Sequence, residues 1–143
     1  MEIRQISGIF IDTYHDSILG LSYGKILTES TLESIRFPTL LDNYKYKYLI
    51  EPNQLLQLEV IKTKKNWILR SINHSQVVYQ PKDYQDFLVF CEAIKFLKSN
   101  IMEQQSTSVL LSIISYFESV NINNSKINLL AFEKIISQSL GFA

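Results

Sequence analysis

The side chains best suited to chemistry in this sequence are two histidines, His15 and His74, and a single cysteine, Cys91. His15 stands directly before Asp16 and Ser17, so the three residue types of a hydrolase triad are adjacent. The members of a triad meet through the fold, whereas consecutive residues of a strand point to opposite faces. Adjacency is therefore the wrong arrangement, and the pattern indicates a turn.

The remaining reactive residues do not build a site either. His74, in the stretch INHSQ, is typical of a strand end or loop, and two histidines without a nearby carboxylate pair make a weak metal site. Cys91 falls on an apolar helix face, where a small core side chain is expected. The sequence has no G-x-x-x-x-G-K-[ST], G-x-G-x-x-G or G-x-S-x-G motif. We therefore predict no enzyme activity, no metal and no cofactor.

Positive charge collects between residues 44 and 70, although the chain has 14 basic and 14 acidic residues in all. The basic residues of this window are Lys45, Lys47, Lys62, Lys64, Lys65 and Arg70, against Glu51 and Glu59. If the stretch YKYKY is a strand, its tyrosines and lysines lie on opposite faces. The lysines would then attract phosphates together with the KTKK loop, or exposed tyrosines would stack bases. Tyrosines buried under helices, with lysines in water, explain the same pattern without a partner.

The first half of the chain has the short or alternating apolar runs of strands. We predict a strand over 8–14, two strands within 17–29 joined near Tyr23 and Gly24, and a strand over 44–51. The segments 54–61 and 66–73 flank KTKK as a hairpin. About five strands of this length predict a small curled sheet or barrel. The segment between them, ESTLESIRFPTLLDN, is ambiguous, and its proline argues against one continuous element.

After Pro81 the apolar period becomes helical. We predict a helix over 83–102 with Asp83 as its N-cap, a second from about Ser106 to Val120, and a third that Ser125 caps and Gly141 ends. The predicted inner faces are Phe87, Phe90, Cys91, Ile94, Leu97 and Ile101, then Leu110, Ile113, Ile114 and Phe117, then Leu129, Phe132, Ile136 and Leu140. The fold class is therefore α+β, with a strand domain over 1–80 and a helical domain over 81–143 packed on it.

Composition bounds the class of protein. The chain has 143 residues, of which 46% are hydrophobic and 12% aromatic, enough to bury a core. Its first residues lack the layout of a signal peptide, and no apolar run approaches the roughly 20 residues of a membrane span. A free thiol suits a reducing compartment. We expect a cytoplasmic protein without a membrane partner.

The order of elements resembles the RecO family of bacterial recombination and repair mediators, in which an OB-fold is followed by a helical domain. Three stretches carry the similarity: GIFIDTY…SILGLSYGKILTE, LIEPNQLLQLEVIKTKKNWILRSIN and LLAFEKIISQSLGFA. Longer members continue beyond the closing glycine, so this chain looks like a shortened member or one cut at that point. The family's basic loop after the third strand is replaced here by STLESIRFPTLLD, in which Arg36 is the one basic residue.

The resemblance implies a five-stranded OB-like β-barrel and a protein that binds single- and double-stranded DNA. It also implies strand annealing, and loading of RecA together with RecR and single-strand-DNA-binding protein. The residues expected to contact DNA are Lys25, Lys45, Lys47, Lys62, Lys64 and Lys65. Low net charge and the missing basic loop favour an alternative, a small OB-fold protein-interaction module with little DNA affinity.

Overall fold

A computed structural model describes residues 2–103 and 107–141. These residues form five β-strands, two single turns of 3₁₀ helix and three α-helices, and the fold is α+β as predicted. The strands are β1 (Ile3–Asp16), β2 (Leu21–Thr28), β3 (Leu32–Arg36), β4 (Gln54–Lys62) and β5 (Trp67–Val77); the helices are α1 (Tyr84–Asn100), α2 (Val109–Ile122) and α3 (Leu129–Ser139). The 3₁₀ turns, Leu41–Asn43 and Lys47–Leu49, lie between β3 and β4.

The five strands form one mixed sheet that closes in a ring. The strand order is β1-β2-β3-β5-β4, and β4 returns to pair with β1. All neighbours are antiparallel except β3 and β5, which run parallel where Ile35 lies beside Trp67 and Arg36 beside Ile68. Every strand therefore has a partner on both sides, although β3 and β5 pair over these two residue pairs only.

The turn between β1 and β2 is placed four residues earlier than predicted. It occupies 17–20, where Gly20 has a φ of +68°, a conformation that glycine adopts without a steric penalty. The predicted turn at Tyr23 and Gly24 is wrong, because β2 runs unbroken through both. Gly24 is needed for close packing instead: a Cβ there would lie 2.6 Å from the ring of Phe10.

The predicted strand over 44–51 is also wrong. This segment contains the second 3₁₀ turn and irregular backbone, and none of its residues pairs with a strand. Its backbone hydrogen bonds are local instead: the N–H groups of Lys47, Leu49 and Ile50 donate to the carbonyls of Tyr44, Tyr46 and Lys47. The alternation of YKYKY therefore forms no ladder with another strand. The fifth strand comes from the ambiguous segment instead, as β3.

The inside of the ring is filled by apolar side chains from every strand. Phe37 and Ile50, from the connection between β3 and β4, are buried in the same cluster, so this connection closes one end of the ring. Tyr44 packs against it, 6.0 Å from Phe37 between ring centroids. Burial raises the pKa of Tyr44, as does the neighbouring Tyr46. The strand members of this inner cluster are Ile6, Phe10, Ile26, Ile35, Leu56, Leu58, Val60 and Leu69.

The three helices pack on the outside of the ring and share a second core with it. Ile9, Leu27 and Leu32 are consecutive cross-strand partners on β1, β2 and β3, and all three are buried beneath the helices. Tyr79, at the entry to α1, is buried between Phe90 and Phe117, with ring centroids 6.0 and 5.1 Å away. This continuous cluster runs from the strands to α3.

Most of the predicted inner faces of the helices are confirmed. The buried members are Phe90, Ile94, Leu97, Ile101, Leu110, Ile113, Phe117, Phe132 and Ile136. Phe87 is 47% exposed, because it lies past the edge of the shared core. Cys91, Ile114, Leu129 and Leu140 are half-buried.

The helix ends follow the predicted capping chemistry in two of three cases. The Asp83 carboxylate accepts a hydrogen bond of 2.8 Å from the Asp86 N–H, which confirms it as the N-cap of α1. Gly141 has a φ of +84° at the end of α3, as expected for a terminating glycine. Ser125 does not cap α3. Ile127 N–H is bonded to the Asp86 carboxylate outside the helix, and Asn128 caps α3 instead.

One sequence-based expectation falls outside the described range. Ser106, the predicted start of the second helix, lies outside the described residues, and α2 begins at Val109. Within residues 2–103 and 107–141, no helix combines the length and the apolar character needed to cross a membrane.

Candidate nucleic-acid interface

The outer face of β1, β2 and β3 is divided into a covered half and an exposed half. The row of Ile9, Leu27 and Leu32 lies under the helices. At the border, the Lys98 ammonium of α1 lies 3.5 Å from the Asp12 carboxylate of β1. Beyond that ion pair the outer face is open to solvent, and it carries aromatic and basic side chains.

A β-bulge in β1 gives the exposed half its tyrosine. Phe10 pairs with Ile26 and Asp12 with Lys25, so Ile11 is an extra residue in β1. Phe10 points into the ring. Strict alternation from it would send Tyr14 inward, but the extra residue reverses the phase and brings Tyr14 to the outer face.

Two stacked tyrosines form the centre of this face. Tyr14 and Tyr23 are cross-strand partners whose rings lie 5.0 Å apart at an angle of 9°. The Lys25 ammonium lies 5.8 Å from the Tyr14 ring, within reach of a cation–π interaction. The Tyr14 hydroxyl is 2.8 Å from the Ser34 hydroxyl on β3. We call Tyr14, Tyr23, Lys25, Ser34 and Arg36 the aromatic-basic face.

Arg36 extends the tyrosine row onto the third strand. It is the cross-strand partner of Tyr23 on one side and lies beside Ile68 of β5 on the other. Its Nε is buried, and no described residue provides it with a hydrogen-bond acceptor. A buried donor without an acceptor is unfavourable.

The hairpin between β4 and β5 borders the same face. Because β3 and β5 run parallel with Ile35 beside Trp67, the residues that precede them, Ser34 and Asn66, also lie side by side. Ser34 is the cross-strand partner of Lys25, so the loop that ends at Asn66 lies next to the row that contains Lys25. Thr63 and Asn66 close the loop with a backbone hydrogen bond of 2.8 Å. The lysines predicted here, Lys62, Lys64 and Lys65, are exposed.

The first of these lysines is held against an aromatic ring. The ammonium of Lys62 and the guanidinium of Arg4 each lie 5.4 Å from the Trp67 ring. Arg4 also makes two hydrogen bonds, of 2.8 and 2.6 Å, with the buried Glu33, and these bonds raise the pKa of the Arg4 guanidinium. The Arg4 guanidinium is therefore already paired with the Glu33 carboxylate, whereas the side chains of Lys64 and Lys65 are exposed to solvent.

The structure does not bring Lys45 and Lys47 to this hairpin. They lie in the connection before β4, and the hairpin follows β4, so the nine residues of that strand, about 30 Å in length, lie between the two groups in the chain. Lys47 donates to the Asp42 carbonyl at 3.1 Å, and Lys45 lies 5.4 Å from the Tyr46 ring. The six predicted lysines therefore do not form one continuous strip.

Lys25 lies in the middle of β2, not at a turn, and it belongs to the aromatic-basic face. Sequence reasoning missed Tyr14, Tyr23 and Arg36 as parts of a site. The position of the turn could have identified the tyrosine pair, because a loop at 17–20 places Tyr14 opposite Tyr23 in antiparallel pairing. A turn at Gly24 does not bring these two residues together.

The histidines and the cysteine remain apart. His15 and His74 are exposed on different strands, β1 and β5, and His15 pairs across the sheet with Ser22. Across the described part of the chain, no group of three or more histidine, cysteine or acidic side chains is arranged to hold a metal ion.

A second surface feature is an apolar groove along α1, with a volume of about 670 Å³. Tyr84 and Phe87, 69% and 47% exposed, line it with ring centroids 6.4 Å apart. Cys91, Lys95 and Lys98 also line the groove. The groove shares no lining residue with the aromatic-basic face, although its residue Lys98 forms the ion pair with Asp12 that borders that face.

No protein-family model matches this chain, and no curated protein matches its sequence.

Proposed function

We propose that this protein is a DNA-binding mediator of repair and recombination, built on an OB-like barrel that binds single strands on the aromatic-basic face. It would neutralise phosphates and hold bases by stacking without covalent chemistry. As a RecO-like mediator it would bind single- and double-stranded DNA and promote annealing of complementary single strands. It would act with RecR and single-strand-DNA-binding protein to load RecA in the cytoplasm.

The topology supports the OB-like part of the proposal. OB-folds are five-stranded barrels that bind oligonucleotides on the face of strands two and three and with the loops that follow strands one and four. Here β2 and β3 carry Tyr23, Lys25 and Arg36. The corresponding loops are 17–20 and 63–66.

The pair of stacked tyrosines beside two cations is the observation that carries the proposal. An aromatic ring binds any base by stacking, and a neighbouring cation neutralises the phosphate that accompanies it. Neither ring of the pair is buried. Stability alone does not require Lys25 and Arg36 beside them, whereas a nucleic acid would use all four.

Replacing Tyr23 by alanine should weaken binding of single-stranded DNA about tenfold, because stacking contributes roughly 1–3 kcal/mol per base. Tyr14→Ala should have a similar effect. The measurement is a fluorescence-anisotropy titration with labelled oligothymidine, with circular dichroism to verify folding. Tyr84→Ala on α1 is the matched control and should leave the affinity within about twofold. Equal losses in all three variants would place the DNA elsewhere.

The hairpin lysines provide an independent test. Each lysine that meets a phosphate releases about one counterion, so a Lys62→Gln, Lys64→Gln, Lys65→Gln variant should flatten the slope of log affinity against log salt by about two units. The loss should be the same for every DNA sequence, since phosphate contacts carry no base information. A variant with Lys45→Gln and Lys47→Gln is the control. An unchanged slope in the triple variant would contradict a DNA contact at the hairpin.

The groove along α1 favours a second candidate function, a protein-interaction module. Tyr84 and Phe87 are exposed aromatic side chains of the kind that anchor protein interfaces. In the mediator proposal the same groove would receive single-strand-DNA-binding protein; in the alternative it would be the main binding site of the molecule. Isothermal titration with that protein, using wild type and Phe87→Ser, tests both. If Phe87→Ser binds it as tightly as wild type, the groove is not the site.

A further inference from the structure

The turn between β1 and β2 presents two apolar side chains to solvent. Ile18 is 93% exposed and Leu19 is 65% exposed, at the tip of the hairpin. Single exposed apolar residues are ordinary on protein surfaces. Two adjacent ones on a hairpin tip, beside a proposed ligand face, are a more specific arrangement.

Hydrogen bonds hold this tip in one conformation. The Asp16 carboxylate accepts from the backbone N–H groups of Ile18 and Leu19, at 3.0 and 3.1 Å. The Gly20 N–H donates to the Asp16 carbonyl at 2.8 Å, and Gly20 has a positive φ. The backbone that carries the two apolar side chains is thus ordered before any partner binds, which lowers the entropy lost on binding.

The tip is a direct extension of the strands that carry the stacked tyrosines. Two cross-strand pairs, His15 with Ser22 and Asp16 with Leu21, separate the Tyr14–Tyr23 pair from the turn. At about 3.3 Å per residue, the tip begins roughly 7–10 Å beyond the tyrosine rings. That distance is two to three stacked bases at about 3.4 Å per base.

We infer that Ile18 and Leu19 form an apolar wedge that enters the base stack at the junction between single-stranded and double-stranded DNA. Apolar side chains of this kind insert between base steps and unstack them in many DNA-bending proteins. The single strand would lie over the aromatic-basic face, and the wedge would meet the first base pair of the duplex. This inference rests on the proposed function and assigns a preferred substrate, the junction.

The distribution of charge favours a base stack, and not a lipid surface, as the partner of the tip. Proteins that bind at a bilayer surface combine a large apolar face with lysine or arginine around it. The residues flanking the tip are His15, Asp16 and Ser17 on one side and Gly20 and Leu21 on the other. The nearest cation along β2, Lys25, lies beside the tyrosines. The positive charge is therefore positioned for a strand that passes over Tyr14 and Tyr23, not for a membrane at the tip.

The test uses the full chain and a duplex with a single-stranded thymidine tail of about 16 nucleotides, the upper site size of an OB-fold. A 2-aminopurine in the first base pair reports unstacking, because its fluorescence rises when it leaves the stack. Wild type should raise this fluorescence and bind the junction about tenfold more tightly than the tail alone, the order of effect of partly burying two exposed aliphatic side chains. The variant Ile18→Ser, Leu19→Ser should lose the rise and the preference but keep the affinity for the tail.

A matched variant, Ile122→Ser with Leu130→Ser, removes two comparably exposed aliphatic residues from the helical side and should behave as wild type. If wild type binds the tail but leaves 2-aminopurine stacked, the wedge is refuted and the proposed function stands. If wild type binds neither DNA, both fail. Binding to phosphatidylglycerol vesicles that only Ile18→Ser, Leu19→Ser abolishes would assign the tip to a membrane and overturn the wedge.

Discussion

Replacing Asp86 by alanine should lower the free energy of unfolding by about 4 kcal/mol, because three donors lose their acceptor in a buried site. The Asp86 carboxylate, 2% exposed, accepts from the Tyr79 hydroxyl. It also accepts from the backbone N–H groups of Lys82, at 2.9 Å, and Ile127, at 3.2 Å. One side chain thereby joins the entry to α1, the end of the sheet and the segment before α3. Urea denaturation followed by tryptophan fluorescence measures the effect.

Tyr79→Phe is the comparison for Asp86→Ala, since it removes one of the three donors and keeps the buried ring. We expect a loss of about 1.5 kcal/mol, the contribution of one hydrogen bond to a charged group. Equal losses in the two variants would show that the backbone N–H groups gain nothing from the carboxylate.

The Asp86 site also makes stability depend on pH. Burial alone raises the pKa of Asp86, but the hydrogen bonds from Tyr79, Lys82 and Ile127 outweigh it and lower the pKa below its ordinary value. Burial and the bond to Asp86 raise the pKa of Tyr79. A carboxyl group with a lowered pKa stabilises the fold fully above its unfolded pKa, about 3.9, and loses that effect as the pH falls through the folded value. The difference between wild type and Asp86→Ala should therefore shrink below about pH 4.

Gly24→Ala should destabilise the protein by about 3 kcal/mol, the upper range for overpacking a core. The added Cβ would lie 2.6 Å from two ring carbons of Phe10 and 2.8 Å from the Phe37 ring. Both phenylalanines are almost fully buried in the closed ring, so neither ring has room to move. Thermal and urea unfolding of the purified variant give the size of the loss.

Two further variants distinguish packing from backbone conformation at Gly24. Gly20→Ala places a Cβ in open space at positive φ, and it should lose only about 1 kcal/mol. Phe10→Leu makes room beside Gly24, so the double variant with Gly24→Ala should lose less than the sum of the single losses. Strict additivity would contradict a collision with Phe10.

The helical half of the fold was largely accessible from sequence. A period of 3.6 after Pro81 identified three helices, and Asp83 identified a cap, because these features depend on neighbours within a few positions. Ser125 failed as a cap for a long-range reason. The segment after it lies outside the helix, where the Ile127 N–H donates to the Asp86 carboxylate, 41 positions away. No local sequence pattern predicts that hydrogen bond.

In the strand half, the presence of short strands could be predicted from sequence, but the pairing between them could not. The hairpin of β4 and β5 was located because both strands and their basic loop are adjacent in sequence. The segment YKYKY has the period of a strand, yet a strand forms only where a partner strand pairs with it. The ring is closed instead by the parallel contact of β3 with β5, in which Ile35 meets Trp67 from 32 positions away.

The candidate site was the least accessible part for the same reason. Lys25 was predicted as a DNA contact, but its aromatic neighbours were sought in YKYKY, because charge and aromatic residues are densest there in sequence. Tyr14 and Tyr23 become neighbours only through the register of β1 and β2. That register depends on where the turn falls and on one bulge.

The bulge at Ile11 also changes how this strand tolerates insertions and deletions. Deleting one residue from a strand normally moves every later side chain of that strand to the opposite face of the sheet. Removing Ile11 would restore plain alternation, and Tyr14 would still face Tyr23, with the loss of one side chain beneath the helices. Losing Thr13 instead would turn Tyr14 inward. A chain that lacks the residue at position 11 can thus keep the same surface.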